Sequence, residues 1–290
     1  MPEILTLENG NALFVLPHGG RSFIQPCQKI QASDLPALQD CAKKWPQENR
    51  AVVEAIRHRF ESTPNQPLYL ACETAFFAQL PDAAASYALP AADAAEYQRF
   101  GADGLMHAWV AAHHPELSKI ISVNLAANTS LAAICDGKAI DCSSGYSLLS
   151  GLPGLTICGE IDPSLVLFLA EQGWTLNQIS EMLYRQSGWQ SFSPTPLTFP
   201  GFLTDCAPRV ELARSMYIHG LVKQIGAMLA ELGGAERVII ICESASAYET
   251  LAEKIRCHFQ PYELAFELIE VSKKEVLVSL VHKIQSFDMS

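Results

Sequence analysis

Residues 119–163, KIISVNLAANTSLAAICDGKAIDCSSGYSLLSGLPGLTICGEIDP, constrain the fold of this chain more than any other stretch. Two runs rich in β-branched and apolar residues, 120–125 and 130–135, are followed by Asp136-Gly137 and a third short run, 139–142. Asp-Gly suits a two-residue type I′ hairpin, whose central positions both need positive φ, so the spacing predicts a three-stranded meander that opens a domain. A connection rich in glycine (Gly145, Gly151, Gly154, Gly159) then leads to Asp162-Pro163. A carboxylate at the N-cap and proline at the first helical position mark a helix start there.

Around this stretch the chain alternates strand and helix patterns. Residues 4–7 and 12–16, separated by Glu8-Asn9-Gly10-Asn11, read as a hairpin. Helical spacing of apolar residues predicts helices over 33–44 and 49–60, and composition predicts a buried strand over 67–72. Beyond the meander, helices are expected over 163–172, 175–186 (with a Thr175/Gln178 capping box), 209–232, 246–258 (with a Ser246/Glu249 box) and from Ser272/Glu275 onward. Gly233-Gly234 suits the end of the long helix over 209–232. Strands are expected over 238–242 and 266–270.

Composition limits the function classes. At 290 residues, 49% of them hydrophobic, the chain can bury two cores of ordinary size, and residues 115–118 are the expected boundary between domains 1–118 and 119–290. A net charge of −11 with no basic stripe argues against nucleic acid, whose binding needs clustered cations to displace counterions. Nine cysteines form no Cys-x-x-Cys pair and no Cys/His ligand cluster; most sit in apolar runs, as reduced core residues of a cytoplasmic protein do. Neither a leader-like N-terminus nor an apolar run near the roughly 18 residues of a membrane span is present in the sequence. No membrane partner is expected.

The order of residues in 119–163 resembles the acetate/propionate kinase (acetokinase) family, part of the sugar kinase, Hsp70 and actin superfamily. Ser130, Gly137, Asp141, Ser143, Gly145, Gly151-Leu152 and Gly159 to Pro163 keep the family's frame. A second match, Glu73-Thr74-Ala75-Phe76-Phe77 followed by Tyr87-Ala88-Leu89-Pro90, is similar to the family's Phe-Asp-Thr-Ala-Phe-His and Tyr-Ala-Leu-Pro. Pro17-His18-Gly19-Gly20 and the run from Arg99 to His107 are weaker matches. The resemblance implies an α/β fold of two ribonuclease-H-like (actin/Hsp70/acetate kinase-like) domains, the first truncated because the opening strand and its phosphate loop have no counterpart here. It also implies a homodimer formed through the second domain, with the helix over 209–232 as a contributor, and a small-molecule ligand between the domains.

The family's chemistry is less well kept than its frame. By the resemblance, its two active-site arginines fall on Val15 and Ile157, and two of its histidines on Asp103 and Asn124. Its catalytic-site aspartate falls on Glu73, one methylene longer, and a later histidine is kept as His107. On the nucleotide side Ala126-Ala127-Asn128 replaces a Gly-Asn-Gly hairpin, and Glu243-Ser244-Ala245-Ser246 stands for Gly-Ile-Gly-Glu-Asn. A phosphoryl-stabilising arginine is worth about 10³ to 10⁵ in rate, so loss of two should abolish acetate kinase activity.

The cleft candidates are therefore Glu73, Asp103, His107, Asn124, Asp141 and Arg21, the last as a replacement for a lost arginine. Ala126, Asn128, Glu243 and Ser244 are remnants of the nucleotide loops. Each polar candidate also has a structural reading: Glu73 and Asp103 as turn residues, His107 as a packed histidine, Asp141 as a strand-end residue that faces the cleft if the fold holds. The leading expectation is a family member that has lost carboxylate phosphotransfer and serves a binding or regulatory role. Its alternative is a repurposed kinase acting on a small organic acid, which alone would require Mg-ATP. The metal and cofactor are otherwise open, and clustered carboxylates remain able to hold a cation or an amine.

Overall fold

The computed structural model describes residues 3–7, 11–64, 66–90 and 96–288, with side chains to residue 280. Two sheets carry the architecture. The first has the order β1-β2-β4-β3, built from β1 (Ile4–Thr6), β2 (Ala12–Leu16), β3 (Cys27–Ile30) and β4 (Leu68–Cys72). β1 is antiparallel to β2 as the hairpin pattern predicts, although Glu8, Asn9 and Gly10 of its turn lie outside the described residues. β2 and β4 are parallel and buried along their whole length, which explains their continuous apolar runs. β3, whose sequence Cys-Gln-Lys-Ile gives no strand signal, pairs antiparallel at the edge.

The second sheet has the order β7-β6-β5-β8-β9, built from β5 (Lys119–Leu125), β6 (Ser130–Cys135), β7 (Lys138–Cys142), β8 (Arg237–Cys242) and β9 (Ala265–Glu270). β5, β6 and β7 form the antiparallel meander, and β8 and β9 add in parallel on the other side. Cys135 pairs with Lys138, so Asp136-Gly137 is the whole connection, with φ of 49° and 75°. That is the type I′ geometry its dipeptide favours.

Helices follow their caps. α1 (Leu35–Lys44) and α2 (Pro46–Ser62) cover the first sheet. α2 begins three residues before the helical pattern does, because Pro46 takes the first helical position, where its missing N–H costs nothing. After the short α3 (Asp82–Ala85) comes α4 (Gly104–His113). In the second half, α5 (Pro163–Glu171) is capped by Asp162, which accepts from Ser164 N–H at 2.8 Å, and α6 (Leu176–Arg185) by the Thr175/Gln178 box. α7 (Phe199–Thr204) precedes α8 (Pro208–Glu231), which buries Val210, Ala213, Tyr217, Leu221, Ile225 and Met228, one stripe at three- and four-residue spacing.

α9 (Ala245–Phe259) departs from expectation: Ser246 and Glu249 form no capping box, and the Ala245 N–H is instead taken by Glu270 Oε2 at 2.8 Å. The last helix, α10 (Lys273–Asp288), has the expected Ser272/Glu275 box, with Glu275 Oε2 accepting from Ser272 N–H at 2.8 Å. No helix among the described residues is long and apolar enough to cross a membrane.

Alternation in β5 divides the core. Ile121, Val123 and Leu125 face α8, Trp189 and Phe202, whereas Ile120 faces the opposite way, into a cluster that also holds Leu13, Val15 and Ala71 of the first sheet. Leu105, Met106 and Val110 of α4, with Val276 and Leu277 of α10, fill the same cluster. The two sheets thus share apolar packing through α4 and α10, and the ends of β2, β4 and β6 come together around one cleft.

Candidate functional site

The cleft between the two halves encloses a cavity of about 460 Å³. Val15 and Pro17 reach it from the end of β2, Glu73 from the end of β4, and Asp103 from the start of α4. The second half contributes Asn128, Thr129 and Ser130 before and at the start of β6, together with Ile157 of the glycine-rich connection. Val15 and Ile157, the two positions where the family resemblance implies arginine, do fall in one cavity, and both are buried and apolar.

Glu73 is buried and its Oε2 accepts from Leu105 N–H at 3.3 Å. Its Oε1 forms an ion pair with Lys273 Nζ at 2.6 Å. The same ammonium is 2.8 Å from Glu3 Oε2. Burial pushes the Glu73 carboxyl above its ordinary range, with Lys273 the chief influence in the other direction. Burial pulls Lys273 down, but the charges of Glu73, Asp103 and Glu3 more than offset it and hold the ammonium above its ordinary value.

Asp103 adopts the left-handed conformation, φ 51°, and does not cap α4 with its side chain. Its Oδ2 accepts from Ser130 Oγ at 2.8 Å. Ser130 Oγ is also 3.0 Å from His107 Nε2, and His107 Nδ1 is 2.8 Å from Ser122 Oγ. Ser130 has one hydroxyl proton and gives it to Asp103, so His107 Nε2–H donates to Ser130 and Nδ1 accepts from Ser122. His107 is fully buried and its pKa is lowered to about 3 by desolvation. It is a neutral spacer behind Asp103, with no free nitrogen for a reacting proton.

The remaining candidates divide. Asn128 lines the cavity, and a Cβ on Gly154 would lie 2.0 Å from its Oδ1, so this turn and the connection are in close contact. Ala127 O accepts from Leu155 N–H at 2.7 Å beside it, while Ala126 O accepts from Thr129 Oγ1. Asn124 is buried as the cross-strand partner of Ser130 and does not line the cavity.

Two expectations are corrected. Asp141 is not among the cleft-lining residues: it pairs with Arg99 Nη1 at 3.2 Å, and Arg99 also donates to Cys142 O. Arg21 does not replace a lost arginine, since its exposed side chain donates to Gln98 Oε1 at 2.6 Å and borders other surface cavities. Glu243 and Ser244, at the start of α9, also lie outside this cavity.

Three contacts tie the halves together near the cavity. Tyr184 Oη donates to Glu48 Oε1 at 2.9 Å, and the Trp45 Nε1–H and His18 Nε2 both contact Tyr146 O, at 3.1 and 2.9 Å. Trp45 stacks on His18 with ring centroids 3.6 Å apart. Asn49 holds the His18 backbone from both sides, accepting from its N–H and donating to its carbonyl. Trp45 is thus the centre of an aromatic cluster with His18, Phe100 and Tyr146.

Sequence reasoning overlooked Lys273, Glu48, Tyr184 and Arg185, the last being the cavity's other cation and lying 3.4 Å from Glu181. One signal was present for Lys273. Lysine in the first turn of a helix opposes the helix dipole by about 0.3–1 kcal/mol, so Ser272-Lys273-Lys274-Glu275 calls for a carboxylate nearby.

The donors present do not suit Mg-ATP. A divalent cation needs free carboxylate oxygens, but the Glu73 carboxylate is paired with an ammonium and Asp103 is bonded to Ser130. Among the described residues no group of three or more His, Cys, Asp or Glu side chains is arranged to hold a metal. At α9 the first amide is taken by Glu270 Oε2 and is not open to an anion.

Comparison with known proteins accords with this geometry. The sequence model of the Acetokinase family matches residues 14–256. Acetate kinase of Clostridium novyi is 29% identical over 252 residues, covering 82% of this chain and 62% of that protein. Acetate kinase of Shewanella baltica is 30% identical over 251 residues, covering 82% and 63%. The match therefore spans less than two thirds of the length of these relatives. Among solved structures, Porphyromonas gingivalis acetate kinase superposes with a TM-score of 0.80 at 22% identity, over 94% of this chain and 77% of that one. A propionate kinase from Francisella tularensis superposes with a TM-score of 0.79 at 22% identity, over 91% and 76%. These likenesses establish the fold.

Proposed function

Because this chain belongs to the acetokinase family, we propose that it keeps the family's cleft as a small-molecule binding site, has lost phosphoryl transfer to carboxylates, and serves a binding or regulatory role. The observation that carries this reading is the pair Val15 and Ile157, apolar side chains facing the one cavity where the resemblance implies arginines. Phosphoryl transfer is catalysed almost wholly by positioning and by cations that neutralise the equatorial oxygens. Here Lys273 is engaged by Glu73 and Glu3, and Arg185 is paired with Glu181 at the cavity edge.

Four carboxylates, Glu3, Glu48, Glu73 and Asp103, line the same space and disfavour a polyphosphate. In a coupled assay of ATP-dependent phosphorylation of acetate and propionate, the purified chain should give no turnover above a no-enzyme control, and turnover would refute the reading.

A second reading, an ATP-dependent kinase for a small organic acid, draws on Arg185. Among the described residues its guanidinium is the one cavity-lining cation without a buried carboxylate partner, and it would be the natural binder of an acceptor carboxyl. Loss of activity in Arg185→Gln would separate this kinase from a silent protein.

The homodimer is proposed on surface grounds. α5 has no buried residue, and it exposes Leu165, Leu167 and Phe168 at 51%, 66% and 56%. Leu212 and Met216 of α8 are also exposed. Exposed apolar faces of this kind mark interaction surfaces, and the family resemblance supplies the second copy as occupant.

A further inference from the structure

The inner end of the cleft holds two acids against one amine, with a third acting on it by charge. Glu73 and Glu3 lie 2.6 and 2.8 Å from Lys273 Nζ, and the charge of Asp103 acts on both Glu73 and Lys273. The acids arrive from separate places, Glu3 just before β1, Glu73 after β4 and Asp103 before α4. The amine comes from the first residue of α10, whose Val276 and Leu277 are anchored in the shared core. A chain segment therefore delivers a fixed positive charge to the buried Glu73 carboxylate, with the exposed Glu3 on its other side, the place where a diffusible cation would otherwise be needed. Burying a carboxylate such as Glu73 is unfavourable unless a charge is provided for it.

We infer that Lys273 is a built-in cation: its ammonium fills the cation position between Glu3 and Glu73, and this end of the cleft takes no divalent metal while Lys273 is present. The inference goes beyond the reading of a silent kinase. Its test reads cation binding and stability, not turnover, so it can fail while that reading stands. Lys273 is held chiefly by the charge of Glu73, 2.6 Å away. The vacated position should therefore accept cations of different geometry, Mn²⁺ or a small alkylammonium.

The experiment is Mn²⁺ titration of the full chain by electron paramagnetic resonance, with melting temperatures in MnCl₂, ethylammonium chloride and NaCl at matched ionic strength. The wild type should bind no Mn²⁺ in a Glu73-dependent way and should melt alike in all three salts. Lys273→Ala should melt lower in NaCl, regain stability in ethylammonium or Mn²⁺, and lose that response when Glu73→Gln is added. Should Lys273→Ala alone not fold, the double variant Glu73→Gln/Lys273→Ala should, because the neutral amide it carries in place of the carboxylate needs no counter-charge. Mn²⁺ bound by the wild type and released by Glu73→Gln would overturn the inference. So would a folded Lys273→Ala without any cation response, or a double variant as unfolded as the single one.

Discussion

Tyr184 donates its phenolic hydrogen to Glu48 Oε1 at 2.9 Å, a bond that joins α2 to the last turn of α6 across the mouth of the cleft. Burial pushes both groups above their ordinary ranges, and the bond is the main polar influence restraining Glu48. A hydrogen bond to a charged acceptor in a half-buried site is worth about 1.5–3 kcal/mol. Tyr184→Phe should therefore lower unfolding free energy by about 1–3 kcal/mol, and increase proteolytic cleavage between the halves. Urea denaturation and limited proteolysis read the two effects.

Stability should fall on acidification earlier than carboxylate titration alone explains. His18 is lowered to about 4, chiefly by desolvation, and His107 to about 3. Both folded-state values lie below the unfolded 6.5, so the unfolded chain binds more protons once the pH drops under 6.5. The stability these groups contribute is fully present above pH 6.5 and is lost as the pH falls toward their folded values. Each contributes a slope of up to about 1.4 kcal/mol per pH unit. Urea titrations at about pH 7, 6 and 5 should show the decline, and His107→Gln should remove about half the slope.

Ser130 is the joint between Asp103 and His107. Ser130→Ala would leave a His107 N–H without an acceptor in a buried site and remove a donor from Asp103. The expected loss is about 1–3 kcal/mol of stability. A cost near zero, measured by thermal or urea unfolding, would contradict the assigned proton arrangement.

The apolar face of α5 should be covered by a second copy. Leu167 is 66% exposed, and Leu167→Glu should convert a dimer into a monomer by light scattering without lowering the melting temperature of the monomer. A monomeric wild type at micromolar concentration would remove this proposal.

Legibility of the sequence followed the locality of the physics. The meander, the Asp136-Gly137 turn and the caps at Asp162, Thr175 and Ser272 rest on neighbours in sequence, and all stand in the structure. β3 was not legible, because Cys27–Ile30 becomes a strand only by pairing with β4. The Ser246/Glu249 box was misleading, since Glu270, from the adjacent strand β9, reaches the α9 amide instead. Among site residues, Glu73, Asp103 and Asn128 were found through motif resemblance and do line the cleft. Asp141 and Arg21 failed because Arg99 and Gln98, partners from an irregular segment, draw them elsewhere. Lys273 lies far along the chain from Glu73, and only its awkward place at a helix start hinted at a distant carboxylate.

Calorimetric titration of the purified chain with Mg-ATP and Mg-ADP tests the central claim most directly. With Val15 and Ile157 facing the cavity, Lys273 engaged by Glu73, and Glu270 on the first amide of α9, no saturable heat is predicted up to millimolar nucleotide. Saturable Mg-ATP binding that Glu73→Gln abolishes would contradict the account and restore the kinase reading.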